Sequence, residues 1–469
     1  METIKTVTTP IYDFARQYSE NGTARFHMPG HKGRGFFGFE EMDITEVKGA
    51  DSLYEADGII AESEDNASKV FGSGLTLYSA EGSSLCIKTM VCAASDCFAD
   101  KAYYGKRNMR PLIMAARNVH KSFLYGLALS DTDAAWISTS GMNDSICTSR
   151  ITPADVRNAL MKTAVKPVAV YITSPDYLGV SSDIKGIADV CHSYGVMLIV
   201  DNAHGAYLKF AGDDLHPLDL GADMCCDSAH KTLPVLTGGA YLHVSKELAT
   251  KMGRNDFREK LKNIMSMFGS TSPSYLTLTS LDKCNEYLAF KAREDIKETI
   301  SKIEAIKEKL KDVGLDVQGS DPLKLTIKIH DSNLADFVRS RNMEPEYSDR
   351  DYAVFMITPF NTDEELEHLK NVLIEYAGTE DFKNKNIDKE DVSLDINPFI
   401  SGTVRFALKE KTITVDAEKA IGKICGFPLV TCPPAVPFVM PGELVTENVV
   451  RLAKYYGYTK LNVVETDYR

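Results

Sequence analysis

Val196-Met197-Leu198-Ile199-Val200-Asp201-Asn202-Ala203-His204-Gly205 is the stretch on which the fold turns. Its five apolar residues read as a buried strand that ends in a turn of small and polar residues. Upstream, Val168-Ala169-Val170-Tyr171-Ile172-Thr173 reads the same way and stops at Ser174-Pro175. Downstream, residues 222–226 form a third, weaker run, interrupted by Asp223 and ending at Asp227-Ser228. Between the first two, residues 183–194 place Ile184, Ile187, Ala188 and Cys191 on one helical face, with Gly195 as the stop. Apolar strands alternating with helices imply a mostly parallel sheet covered on both faces. The alternation runs from about residue 71 to residue 244. In such sheets ligands gather at the carboxyl ends of the strands. Asp201, His204, Ser228, His230 and Lys231 all fall there.

Beyond this region the pattern changes. Residues 290–313 form a long charged helix, with Ile296, Ile300, Ile303, Leu310 and Val313 mostly at three- and four-residue spacings, a surface helix linking two domains. Leu325, Ile327 and Ile329 alternate with polar residues as a half-exposed strand. Residues 352–357 read as another strand and 362–376 as a helix, which together make a small α+β domain. Residues 378–395 are polar and charge-rich, a linker, and a last unit holds Pro433-Pro434-Ala435-Val436-Pro437 and Pro441-Gly442-Glu443. The expected organisation is an N-terminal arm and entrance segment (1–50), a large α/β domain (51–290), a small α+β domain (291–380) and a C-terminal domain (381–469).

The 469 residues suffice for two or three domains. A formal charge of −13 argues against general affinity for nucleic acid, which needs a basic face. No apolar stretch approaches the ~18–20 residues that span a bilayer, and Met1-Glu2-Thr3-Ile4-Lys5 has no apolar signal core. Ten cysteines are scattered without a CxxC pair or metal-ligand spacing. They read as reduced core thiols, which points to the cytoplasm. Neither an HExxH pattern nor a Walker-type loop occurs, so no metal site is expected.

Three His-Lys pairs occur, His31-Lys32, His120-Lys121 and His230-Lys231. A lysine that carries pyridoxal 5'-phosphate as a Schiff base needs a water-poor pocket favouring its neutral amine, phosphate donors, and an acid for the pyridine nitrogen. His31-Lys32 lies in a basic, glycine-rich loop that reads as mobile and wet. His120-Lys121 opens a helix, but no acid ends the strand before it. Lys231 follows the third strand, has Ser228 and His230 beside it as donors, and has Asp201 at the end of the neighbouring strand. Glu81-Gly82-Ser83-Ser84, just before the helical residues 85–94, offers backbone N–H groups to a phosphate.

Taken together, these motifs resemble the bacterial ornithine/lysine/arginine decarboxylases, pyridoxal-phosphate enzymes of the aspartate-aminotransferase fold. The resemblance runs through nearly the whole chain. It begins at Phe26-His27-Met28-Pro29-Gly30-His31-Lys32-Gly33 and Asp51-Ser52-Leu53, and continues through Gly82-Ser83-Ser84, Asn118-Val119-His120-Lys121-Ser122 and Ser174-Pro175-Asp176-Tyr177. Asp201-Asn202-Ala203-His204-Gly205-Ala206, Ser228-Ala229-His230-Lys231-Thr232-Leu233-Pro234, Ser270-Thr271-Ser272-Pro273-Ser274-Tyr275, Pro433-Pro434 and Pro441-Gly442-Glu443 complete it. The fold it implies is α/β, with a mostly parallel seven-stranded sheet, a small α+β domain and a C-terminal domain. The chain looks like the compact form, without a receiver-like N-terminal domain.

The resemblance also implies roles. Lys231 would be the Schiff-base lysine, Asp201 the partner of the pyridinium nitrogen, and Ala203 the residue under the ring. His120 would stack on the opposite face, and Ser83, Ser84, Ser228 and His230 would hold the phosphate, with His204 beside the cofactor. The Ser270-Thr271 turn would reach the phosphate of a neighbouring subunit in an obligatory homodimer, and residues 27–33 would line the entrance. Four positions depart from the family pattern: Asn202 for an acid, Ala229 for a threonine, Gly238 after Thr237 where glutamine is common, and Ala435 for a glycine.

The implied reaction is decarboxylation of a basic L-amino acid, with Lys231 or His230 returning a proton to Cα. Glu443 and Asp349 are candidates for holding the substrate's distal charge. A transaminase or lyase reading would use Arg405 for the α-carboxylate, and a non-catalytic regulatory homologue is a third reading.

Overall fold

The computed structural model describes residues 6–106, 109–139, 145–329, 333–383, 399–430 and 433–465; the first five residues and most of the expected linker at 378–395 lie outside them. β5 (Met197–Asp201) is buried at all five positions, as an unbroken apolar run requires in a sheet covered on both faces. β4 (Ala169–Thr173) and β6 (Met224–Asp227) are buried in the same way. With β1 (Leu75–Ser79), β2 (Leu112–Ala115), β3 (Asp133–Trp136) and β7 (Ala240–Val244) they make a seven-stranded sheet in the order β1-β7-β6-β5-β4-β2-β3. β5 runs parallel to β6, with Asp201 opposite Cys226, and β2 runs parallel to β3 and β4. β7 is antiparallel to both β6 and β1. Asp223, which interrupts the third apolar run, accepts the Leu198 N–H at 2.8 Å and so ties the start of β6 to β5.

Chain packing gathers residues 1–97 with 197–297 in one unit and residues 98–196 with 298–469 in another. The first holds β1, β5, β6 and β7. Its helix Pro10–Glu20 opens on a proline, which has no N–H to leave unpaired there. The N–H groups of Ile11 and Tyr12 reach Asp282 Oδ2 at 3.0 and 2.9 Å. Glu64 and Lys262, both buried, form an ion pair, and the Lys262 ammonium also donates to the Leu53 carbonyl, so neither charge is stranded.

The second unit carries β2, β3 and β4 and a four-stranded antiparallel sheet. That sheet is built of β8 (Asp316–Gln318), β9 (Lys324–Lys328), β10 (Tyr347–Ser348) and β11 (Tyr352–Met356), in the order β10-β11-β9-β8. β9 is buried at four of five positions and not half-exposed as its alternation suggested. The Lys324 ammonium donates to the Asp176 carbonyl at 3.1 Å and the Thr326 hydroxyl to the Leu178 carbonyl at 2.8 Å, so its polar residues are satisfied inside. The helix Asp363–Ala377 starts with a reciprocal Thr362–Glu365 capping box and buries Leu366, Leu369, Val372 and Leu373. The expected charged helix is Ala292–Asp312. Near the end of the chain β12 (Thr412–Asp416) pairs with β13 (Lys460–Val464), and Val449, Val450, Leu452 and Ala453 of the helix Glu447–Tyr455 share a core with Leu461 and Val463.

Among the described residues no helix is long and apolar enough to cross a membrane. The described cysteines are all free, and of these only Cys97 is not fully buried.

Candidate active site

Lys231 lies on a short helix, Ala229–Thr232, that begins directly after β6 with Ser228 as N-cap. The His230 N–H donates to the Gly239 carbonyl at 3.1 Å and the Lys231 N–H to the Ser228 carbonyl at 3.0 Å, which fixes the turn. Lys231 Nζ lies 2.9 Å from His204 Nε2. His204 comes from the turn after β5, which is closed by Gly205 N–H donating to the Asn202 carbonyl at 2.8 Å. Asp201 ends β5 and is 2% exposed; its Oδ1 accepts the Ala203 N–H at 3.1 Å and the Cys226 thiol at 3.7 Å. The β5–β6 pairing thus brings an acid, a histidine and a lysine to one edge.

The neighbouring turn is built for an anion. The 17-residue helix Gly82–Phe98 starts at Gly82, and its first N–H groups have no carbonyl partners within the helix. Gly82 has φ +70° and donates its N–H to the Gly238 carbonyl at 2.6 Å. Gly238 has φ +95°, and a Cβ there would lie 2.7 Å from the Ala80 carbonyl oxygen, so only glycine lets the two turns meet. Ser228 Oγ donates to Ser83 Oγ at 2.7 Å, and a Cβ at Gly82 would lie 3.9 Å from His230 Cε1. Ser83, Ser228 and His230 therefore surround one helix start, with half-buried Ser84 in its first turn. His230 Nδ1 faces the Gly239 carbonyl at 3.0 Å. A carbonyl only accepts, so Nδ1 carries a proton, and His230 could donate to a phosphate through Nε2 only as an imidazolium. Thr271 is exposed, on a turn whose Ser270 N–H is held by the Glu81 carboxylate of the same chain.

His120 belongs to the second unit. It caps the helix Lys121–Ser130, its Nδ1 accepting the Ser122 N–H at 3.2 Å, which leaves the ring proton on Nε2. The Lys121 N–H donates to the Ala435 carbonyl at 3.0 Å. Ala435 has φ +56°, the left-handed region that glycine adopts more easily, which gives the departure at this position a structural meaning. The two acids named for the distal charge are both engaged. Glu443, 1% exposed, accepts two bonds from Arg117 at 2.7 and 2.9 Å and the Met440 N–H at 2.8 Å. Asp349 accepts the Tyr347 hydroxyl and the N–H groups of Asp351 and Tyr352. Arg405 is engaged too: it donates to the Ala128 carbonyl at 2.6 Å and lies 3.3 Å from Asp131. In the N-terminal arm, His31 pairs with Asp43 and Lys32 with the His27 carbonyl.

One cluster escaped the sequence. Asp227, wholly buried, receives Asn202 Nδ2 at 2.7 Å, His216 Nε2 at 3.1 Å and His243 Nε2 at 3.2 Å. Burial alone would raise its carboxyl, but the two imidazoles hold it well below the usual carboxylate range. Burial lowers His243 against the pull of Asp227. His216 and His243 stand 11 and 16 residues away in different elements, and no sequence spacing announces such a meeting.

A helix start with a serine pair, a buried acid at a strand end and a lysine just after the next strand suit a phosphorylated aromatic ring in donor chemistry. The sheet carrying them is that of the pyridoxal-phosphate-dependent enzymes. The chain belongs to the Orn/Lys/Arg decarboxylase family, whose major domain matches residues 9–329. The arginine decarboxylase of Bacillus subtilis (strain 168) is 28% identical over 469 residues, 94% of this chain and 92% of that protein. The crystal structure of the Francisella novicida lysine decarboxylase superposes with a TM-score of 0.78 at 17% identity, covering 98% of this chain and 81% of that one. Serine palmitoyltransferase of Sphingomonas wittichii is also similar, with a TM-score of 0.54 at 13% identity, covering 80% of this chain and 84% of that one. The chain is an amino-acid decarboxylase, and the family, fold class and activity expected from its motifs are borne out.

Proposed function

We propose that the protein holds pyridoxal 5'-phosphate on Lys231 and removes the α-carboxyl group of a basic L-amino acid, with arginine the first substrate to test. The observation that carries this is the 2.9 Å approach of Lys231 Nζ to His204 Nε2, beside the strand that ends in buried Asp201. When bound, the cofactor supplies a carbonyl for amine exchange and a ring that accepts the electrons left by carbon dioxide. Asp201 would keep a proton on the ring nitrogen, and Ala203 would pack under the ring. The N–H groups of Ser83 and Ser84, the hydroxyls of Ser83, Ser84 and Ser228, and His230 would hold the phosphate, the Gly82 N–H being already given to the Gly238 carbonyl. His120, as the family resemblance implies, would stack on the ring's other face. Lys231 Nζ, or His230 Nε2 when its ring is an imidazolium, would be the group that returns a proton to Cα.

The identity of the substrate leans on the relatives named arginine decarboxylase. The distal cation needs an acid other than Glu443 and Asp349, whose oxygens already have partners. A homodimer accompanies this reading, with Thr271 reaching the neighbour's phosphate. Phe26, Phe36 and Phe37 are 97%, 83% and 73% exposed, the kind of surface a second copy would cover. The free thiols fit the cytoplasm.

Transamination is the second reading, and the engagement of Arg405 with Ala128 and Asp131 weighs against it. Incubation of purified protein and cofactor with arginine, lysine, ornithine and diaminopimelate decides. Amine and carbon dioxide are expected; a keto acid in their place would overturn the proposal.

A further inference from the structure

Asn202 and Asp227 sit at the ends of adjacent parallel strands, one residue after Asp201 and one before Ser228. Both are wholly buried. An ionised carboxylate only accepts hydrogen bonds, so the Asn202 amide presents its NH2 to Asp227 Oδ1, and its own Oδ1 is left without a partner. On the other carboxylate oxygen, His216 and His243 converge through Nε2.

Such a trio could also hold a metal ion, and the ring protons decide against it. The Leu218 N–H points at His216 Nδ1 at 3.4 Å, so that nitrogen is the acceptor and the proton rests on Nε2. A protonated Nε2 donates to Asp227 and offers no lone pair to an ion. His243 Nδ1 is bonded to the Thr76 hydroxyl at 2.8 Å. The cluster is a hydrogen-bonded lock.

The lock joins the turns that carry the site. Asn202 stands between Asp201 and Ala203-His204, and its backbone N–H donates to the Cys226 carbonyl at 3.0 Å. Asp227 leads directly into Ser228, His230 and Lys231. We infer that Asn202 and Asp227 are a positioning pair, whose side-chain bond sets the turn bearing Asp201 and His204 against the turn bearing Lys231 and thereby sets the affinity for pyridoxal phosphate. The inference rests on the functional reading above. The pair has a polarity, amide on 202 and acid on 227. An acid at 202, which the family resemblance leads one to expect, would bring two carboxylates into contact without water. Exchanging both residues keeps one acid and one amide, and the amide oxygen of residue 227 can still accept both histidine protons.

The test compares wild type, Asn202→Asp and the double exchange Asn202→Asp/Asp227→Asn, by equilibrium dialysis of the apoprotein against pyridoxal phosphate and by melting of the apoprotein. Asn202→Asp is expected to weaken cofactor binding by about tenfold or more and to lower the melting temperature, and the double exchange to recover affinity to within about threefold. Wild-type affinity and melting in Asn202→Asp overturn the inference, as does a double exchange no better than the single one. A wild type that binds no cofactor overturns the functional reading instead, and melting without cofactor still tests the pair. One equivalent of transition metal in the purified protein, lost on His216→Ala, would overturn the hydrogen-bonded assignment.

Discussion

Lys231 Nζ and His204 Nε2 lie 2.9 Å apart, close enough to share one proton. His204 is 5% exposed, so that proton sits away from bulk water. A lysine so placed can pass through its neutral, nucleophilic form without releasing its proton to solvent. Lys231→Ala is therefore expected to lose covalent cofactor attachment, read as peptide mass after borohydride reduction, and to lower turnover by about a thousandfold or more. His204→Gln keeps a hydrogen-bonding side chain and should lose far less. Full activity and an unchanged spectrum in Lys231→Ala would remove the central assignment.

Gly238 is the second point of leverage. Its φ of +95° and the 2.7 Å approach of a hypothetical Cβ to the Ala80 oxygen leave alanine no unstrained place. The same residue accepts the Gly82 N–H, so strain there is passed to the start of the helix Gly82–Phe98. Gly238→Ala is expected to cost about 2–3 kcal/mol and to weaken cofactor binding, measured by melting and by dialysis. Gly30→Ala is the control, with nothing within 4 Å of its Cβ position; it should change stability by less than about 0.5 kcal/mol. Equal effects in the two variants would show that the turn contact carries no energy.

Much of this site was legible because the sheet is parallel. Apolar runs bounded by turn residues placed β4, β5 and β6 within two residues of their observed ends, and the rule that ligands meet strand ends then selected Asp201 and Lys231. β7 was not singled out. It returns antiparallel to β6 through residues 228–239, whose helix Ala229–Thr232 has four residues, too few to show the helical period that marked the other connections. Glu443 and Asp349 were candidates for the substrate's distal charge; the partners of Asp349 lie within three residues of it, whereas the arginine that engages Glu443 is not local. Arg117 lies 326 residues from Glu443, and nothing in the chain between them signals an ion pair. The Asp227 lock was hidden for the same reason, its partners being brought together only by strand order.

The Arg117–Glu443 pair makes a prediction of its own. Glu443 is 1% exposed, whereas the Arg117 side chain is 25% exposed, so removing the arginine strands a buried carboxylate. Arg117→Met is expected to destabilise by about 2–4 kcal/mol, and Arg117→Met/Glu443→Gln to recover most of that loss, since no buried charge remains. Thermal melting of the three proteins checks this. A double variant as unstable as the single one would mean that packing, and not charge, dominates there.

Asp282 sets the expected pH dependence. It receives the N–H groups of Ile11 and Tyr12 and the hydroxyl of Ser63, and holds the first turn of the helix Pro10–Glu20. Burial pushes its carboxyl from 3.8 up to about 7, against the opposing effect of those three bonds. The unfolded chain thus gives up this proton near its ordinary value while the folded protein still holds it. Stability from this group is fully present below about pH 4, declines as pH rises toward about 7, and is flat above that. A shift of about three units corresponds to at most about 4 kcal/mol. Asp282→Asn removes the titration, because an amide oxygen can accept both N–H groups and its NH2 can donate to Ser63 Oγ. The variant is therefore expected to gain stability relative to wild type between about pH 4.5 and about pH 8. Melting curves of both proteins across that range measure the gain, and a difference that stays constant with pH would show that Asp282 is ionised in the folded protein throughout.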